Sequence, residues 1–118
     1  MRSTGDRFED IALAHAQRHG LSLVARNVQY RHGEIDLVMR DGNVLVFVEV
    51  RYRRSQRFGG AVDSVSASKR KRLVAAASLF LQSRPEFAHH ACRFDVLAIA
   101  GDEVAPQVDW HRDAFQLH

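Results

Sequence analysis

The sequence predicts an α/β fold, a mixed central β-sheet flanked by helices, on three observations. Two stretches repeat their apolar residues at helical spacing, and several others are short apolar runs bounded by turn residues. Asp41-Gly42-Asn43 separates two of those runs and is a strong hairpin signal. The second helical stretch lies between the third and fourth runs, so it supplies the crossover that a right-handed parallel connection needs.

The elements follow in order. Phe8, Ile11, Ala12, His15 and Ala16 mark one face of a first helix over about Gly5 to His19, stopped by Gly20. Leu21 to Val28 reads as the first strand, Gly33 to Arg40 as the second and Val44 to Tyr52 as the third. Arg53 to Ser64 has no period and reads as a loop long enough to serve a function. Ser64 or Ser66 caps a second helix that buries Leu73, Ala76, Ala77, Phe80 and Leu81, with Pro85 after its end. Arg93 to Ala100 is apolar on both sides and belongs in the middle of the sheet. After a turn at Gly101-Asp102, Gln107 to Trp110 reads as a short extra edge strand and Asp113-Ala114-Phe115 as a turn. The order is α-β-β-β-α-β with that edge strand added. The 118 residues make a single domain, 1–118, of a size that buries a core without staples.

Composition narrows the class. With 46% hydrophobic and 26% charged residues the chain fits an ordinary soluble domain. A single cysteine, Cys92, excludes an intramolecular disulfide and a cysteine-based zinc site. The start of the chain is charged and amphipathic rather than a signal sequence, and no apolar run approaches a membrane span. Together these predict a cytoplasmic protein with no membrane partner. Of seven histidines, His89 and His90 are adjacent and would point apart. His15 and His19 are a helical turn apart without a third ligand, so the histidines read as structural or surface residues.

The net charge of +3 conceals an asymmetry. Arg51 to Arg72 holds eight of the 17 Lys+Arg and one acid, Asp63, for +7; the remainder of the chain is −4. The cations are Arg51, Arg53, Arg54, Arg57, Lys69, Arg70, Lys71 and Arg72. Such a stripe is either a solvated loop and helix start or an address for a polyanion. Cations in the first turn of a helix oppose its dipole, which favours a use beyond helix stability. Tyr52 and Phe58 read either as core residues or as platforms for an unpaired base.

Two acids interrupt the apolar hairpin. If Gly42-Asn43 is a two-residue loop, Asp41 pairs with Val44, Asp36 faces Glu49, and Glu34 faces Arg51. An Asp41-Gly42 loop would instead set Asp36 against Phe47 and leave the two acids diagonal. Opposed carboxylates repel, and a hard divalent cation, Mg²⁺ or Mn²⁺, reverses that sign. The bland alternative is a polar sheet face neutralised by Arg51 and Arg53. A metal beside a phosphate-binding surface suits phosphodiester hydrolysis. Asp95, in a buried strand, reads as a hydrogen-bonding or ion-pairing residue.

Asp36, twelve intervening residues, then Glu49-Val50-Arg51 resembles the D…(D/E)xK signature of the restriction-endonuclease-like, PD-(D/E)xK, nucleases. The element order is similar to their core. Gly5 and Glu9, Arg26-Asn27, "GEIDL", "VFVEVRYR", Phe58-Gly59, Val65 with Lys69 and Arg72, "RFDVLA" and "DAF" together resemble the YraN-type family of small bacterial proteins, similar to archaeal Holliday junction resolvases. The resemblance implies a restriction-endonuclease-like core and a metal-dependent endonuclease-like protein binding nucleic acid, DNA in preference to RNA, in repair or recombination. It implies Asp36 and Glu49 as metal ligands, the Val50 carbonyl as a third and Glu9 as an additional acid, with Glu9, Asp36, Glu49 and Arg51 forming the catalytic set. Arg53, Arg54, Arg57, Lys69 and Arg72 would bind the nucleic acid. Arg51 stands where the signature has lysine; arginine holds phosphate but cannot act as a base. That departure keeps a second reading open, a non-catalytic DNA-binding or recombination-accessory module on the same fold. Resolvase-like cutting of two strands would call for a homodimer, which the sequence does not specify.

Overall fold

Continuous apolar runs along the central strands give the sheet two buried faces, and one helix covers each. The computed structural model describes residues 4–53, 65–101 and 104–115. Their order is α1 (Thr4–Arg18), β1 (Ser22–Tyr30), β2 (Gly33–Asp41), β3 (Val44–Arg53), α2 (Ala67–Ser83), a 3₁₀ turn (Pro85–Phe87), β4 (Ala91–Ala100) and β5 (Gln107–Phe115). The five strands form one sheet in sequence order. β1–β2, β2–β3 and β4–β5 are antiparallel, and β3–β4 is parallel across the α2 crossover. The mixed sheet and the helix positions are those the sequence predicts.

Leu45 and Phe47 of β3 pack into a core with Leu73, Ala76, Ala77 and Phe80 of α2. Val46 and Val48, the alternate residues, pack with Phe8, Ala12 and Ala16 of α1. Successive strand residues point to opposite faces, so α1 and α2 lie on opposite sides of the sheet. Ser66 caps α2, its hydroxyl accepting the Lys69 backbone N–H at 3.1 Å. The alternative cap, Ser64, lies outside the described residues. No helix among the described residues is long and apolar enough to cross a membrane.

Asp41 pairs with Val44, which settles the hairpin loop as Gly42-Asn43 and discards the Asp41-Gly42 alternative. Gly42 has φ 60°, and Asn43 is not among the positive-φ residues, as a type II′ turn requires.

The C-terminal end differs from expectation. β5 is nine residues long and continues through Asp113-Ala114-Phe115, where a turn was expected. The turn-like residues form an irregularity within the strand. Asp113 takes φ 52°, its N–H donates to the buried Asp95 carboxylate at 2.9 Å, and the register moves between Val96↔His111 and Phe94↔Phe115. Local left-handed geometry looks like a chain reversal in sequence, but here the ladder resumes beyond it.

Candidate functional site

The hairpin register delivers Asp36 and Glu49 to the end of the β2–β3 ladder. Paired residues run from Asp41↔Val44 to Leu37↔Val48, so Asp36 and Glu49 are the next two opposed positions. The Asp36 carboxylate occupies the gap itself, and the Val50 N–H donates to its Oδ2 at 2.8 Å. On its other side Asp36 meets a second irregularity. The β1–β2 register passes from Arg26↔Leu37 to Val28↔Ile35, and Asn27 between them has φ 53°. Ile35 therefore belongs to the α2-side core while Leu37 belongs to the α1-side core, although the two are only two residues apart. Simple alternation, which would keep both on one face, breaks at Asp36.

Both acids are buried, Asp36 at 9% exposure and Glu49 at 3%. Glu49 lies in β3 beside Val96 of β4, with a strand on each side of it. Its Oε1 meets the Lys69 ammonium at 2.7 Å and Arg51 Nη1 at 3.7 Å. Arg51 was expected opposite Glu34; its ion pair here is with Glu49, its neighbour two residues earlier on the same strand face. Burial and the Glu49 charge, with smaller contributions from Glu9 and Glu34, push the Asp36 carboxyl up to about 7, against the opposing pull of the Val50 N–H. Asp36 is thus the carboxyl whose proton is held, while Glu49 lies against Lys69 and Arg51.

Glu9 projects from α1 close enough for its charge to act on Asp36. Its carboxylate is 15% exposed and pairs with Arg26 at 3.6 Å, while Arg26 also donates to Asp10 at 3.0 Å. Glu9 thus borders the pair. Among the described residues, no three His, Cys, Asp or Glu side chains are grouped so as to hold a metal by themselves. The donor chemistry still suits a hard dication. Mg²⁺ commonly uses one or two carboxylates, with substrate phosphate and water completing its shell. In a strand a residue's N–H and C=O point to the same side, so the Val50 carbonyl, next to the N–H that meets Asp36, would be the further oxygen available to such an ion. The raised proton affinity of Asp36 and the Lys69 ammonium both ease the repulsion that a cation would ease.

The basic stripe is divided. Lys69 and Arg72 border a cleft of about 820 Å³ whose floor includes Glu49. Arg53 ends β3, and Arg54, Arg57 and Phe58 lie outside the described residues. Tyr52 stacks on Phe8, ring centroids 4.0 Å apart, and its hydroxyl donates to the Gly101 carbonyl at 3.4 Å, so its ring serves the α1–sheet contact. His15 and His19 lie against each other and against Trp110, with ring centroids 4.5 to 5.9 Å apart.

Two features escaped the sequence reading. Sequence alone points Lys69 at phosphate, whereas in the structure it reaches the carboxylate pair through Glu49. The opposite wall of the cleft is the β1–β2 turn, Tyr30, Arg31 and His32, which carried no assignment. Two basic residues at the tip of a tight turn beside "GEID" were the available signal.

The profile of the Uncharacterised protein family UPF0102 matches residues 8–99. A UPF0102 protein of Xanthomonas campestris pv. campestris is 54% identical over 113 residues, covering 96% of this chain and 91% of that protein. One from Stutzerimonas stutzeri is 49% identical over 115 residues, covering 98% and 96%. One from Pseudomonas aeruginosa is 45% identical over 116 residues, covering 97% and 93%. The chain belongs to this family, the YraN-type group whose motifs the sequence resembles.

Proposed function

We propose that this UPF0102 member binds nucleic acid and hydrolyses its phosphodiester bonds with a divalent metal, acting on DNA in repair or recombination in the cytoplasm. The observation that carries the reading is the buried Asp36–Glu49 pair, held where β2 and β3 part and met by Lys69 and Arg51. A sheet gains nothing in stability from two near-opposed buried acids. Asp36, Glu49 and the Val50 carbonyl would hold Mg²⁺ or Mn²⁺, with Glu9 at the margin of the shell. Bound there, the ion would polarise the phosphate and lower the pKa of a water. Lys69, released from Glu49 as the ion takes up its charge, would turn to the phosphate. Arg51, permanently charged, would stabilise negative charge on the phosphoryl oxygens and leave proton removal to another group.

One observation favours a second reading, the non-catalytic nucleic-acid-binding module. Glu49 already has two cationic partners, which satisfy it without a metal. Incubating the purified chain with labelled linear, single-stranded and four-way-junction DNA, in Mg²⁺ and in Mn²⁺, separates the two. The nuclease reading expects cleavage that Glu49→Ala abolishes. DNA binding without cleavage of any substrate would favour the module, and cleavage that survives Glu49→Ala would come from elsewhere.

A further inference from the structure

We propose that the cleft between the β1–β2 turn and the start of α2 is a subsite for an unpaired stretch of nucleic acid, leading the strand to Asp36 and Glu49. The inference rests on the nucleic-acid reading above and adds to it the second wall, the form of the ligand and the residue that holds the walls together.

The cleft's walls come from distant parts of the chain. Tyr30, Arg31, His32 and Glu34 belong to the β1–β2 turn and its flanks, while Lys69 and Arg72 belong to the first turns of α2. Gly33 joins them. A Cβ built on Gly33 would stand 2.7 Å from the Arg72 carbonyl oxygen and 3.2 Å from its carbon. Only a residue without a side chain lets the start of β2 lie this close to the α2 backbone. The spacing between the walls is therefore set by backbone contact, and the cations on either side keep a fixed separation. A site held in this way loses little conformational freedom when a strand enters.

The lining matches unpaired nucleotides better than a duplex. A purely cationic surface would suffice for duplex phosphates. This cleft adds hydrogen-bonding side chains, Gln29, His32 and Glu34, and a half-buried aromatic ring, Tyr30. The Glu34 carboxylate has nothing to offer a phosphate, but it and the Gln29 amide oxygen can take hydrogen bonds from exposed base amino groups, whose Watson–Crick edges a duplex hides. Aromatic rings give such bases a surface to lie against. A cleft of about 820 Å³ falls within the range of roughly 300–1,000 Å³ that encloses a small ligand. It has room for a few nucleotides. Arg31, Lys69 and Arg72 supply the phosphate contacts, and Glu49 in the floor places the strand beside the carboxylate pair.

Fluorescence anisotropy with EDTA present tests this without any cleavage, using a short labelled single strand and a duplex of the same length on the full chain. Wild type should bind the single strand more tightly. Arg31→Ala with His32→Ala changes two exposed residues and should leave the fold intact. It should weaken single-strand binding by about tenfold, the effect of losing one charge-assisted contact, and leave duplex binding nearly unchanged. Gly33→Ala, which keeps every charge but forces the walls apart, should weaken the single strand as well. Unchanged single-strand binding in the double variant, or equal losses for both DNAs, would overturn the subsite and leave the functional reading standing. Absence of binding to either DNA by wild type would overturn both.

Discussion

Asp36 is an acid whose native environment favours its protonated form. Its carboxyl is raised from the ordinary 3.8 to about 7, first by burial and then by Glu49. Because the folded state holds the proton more tightly than the unfolded chain, this group's contribution to stability is greatest in acid and falls as pH rises from about 4 to about 7. Asp36→Asn removes the ionisation, so urea denaturation in EDTA should find the variant gaining more on wild type at pH 8 than at pH 5. An equal difference at both pH values would mean that Asp36 does not titrate as described. Arg51 poses the complementary question at the same scale. Its guanidinium sits 3.7 Å from Glu49, a phosphate-holding position. Arg51→Lys should preserve or raise any metal-dependent cleavage, measured as initial rate on the best substrate. A complete loss would show that the bidentate fork of arginine is required there.

Asp95 shows at the element scale how a buried acid is used for architecture. It is fully buried in β4 and accepts from Arg93 Nε at 3.0 and 3.2 Å, from Trp110 Nε1 at 3.0 Å and from the Asp113 N–H at 2.9 Å. Arg93 reaches on to Asp41 at the end of β2 at 2.9 Å. One carboxylate thus ties β5 to β4 and, through Arg93, to the β2–β3 hairpin. Asp95→Ala leaves Arg93 and Trp110 without this partner, and a loss of about 3–5 kcal/mol follows in denaturant unfolding, with Mn²⁺ binding intact in the folded fraction. A loss well below 1 kcal/mol would contradict the network. The sequence marked Asp95 as a hydrogen-bonding residue because a charged group inside an apolar strand needs a partner. It could not reveal that Asp113 was one, since Asp113-Ala114-Phe115 reads as a turn in sequence while in the structure Asp113 takes φ 52° inside a continuing strand.

Across the whole molecule, the legible parts were those fixed by local periodicity and turn chemistry. Asp41-Gly42-Asn43 marks the hairpin but leaves two loop registers open; the observed Gly42-Asn43 loop brings Asp36 and Glu49 to the positions just beyond Leu37↔Val48, and the α2 crossover makes β3 and β4 parallel. What stayed hidden depends on packing between distant elements. Lys69 reaches Glu49 only because α2 lies across the sheet, and the turn at Arg31-His32 faces α2 only because Gly33 allows their close approach. The break in alternation at Asp36 likewise needs Asn27 on the neighbouring strand. Charge is a property of the same scale, a +7 window on a chain whose remainder is −4. If about five cations meet phosphates, log K against log[salt] should fall with slopes of about −3.5 for single strands and about −4.5 for duplex. Lys69→Ala with Arg72→Ala should flatten either slope by up to about two units. Binding indifferent to salt would reduce the stripe to a solvated face.

Calorimetric titration of Mn²⁺ into wild type and into Asp36→Asn, at pH 8 where the Asp36 proton is mostly released, tests the carboxylate pair most directly. One Mn²⁺ should bind wild type, more weakly as pH is lowered through about 7 because proton and metal compete for Asp36, and Asp36→Asn should lose that binding. Identical isotherms for the two proteins would contradict a metal site at Asp36 and Glu49.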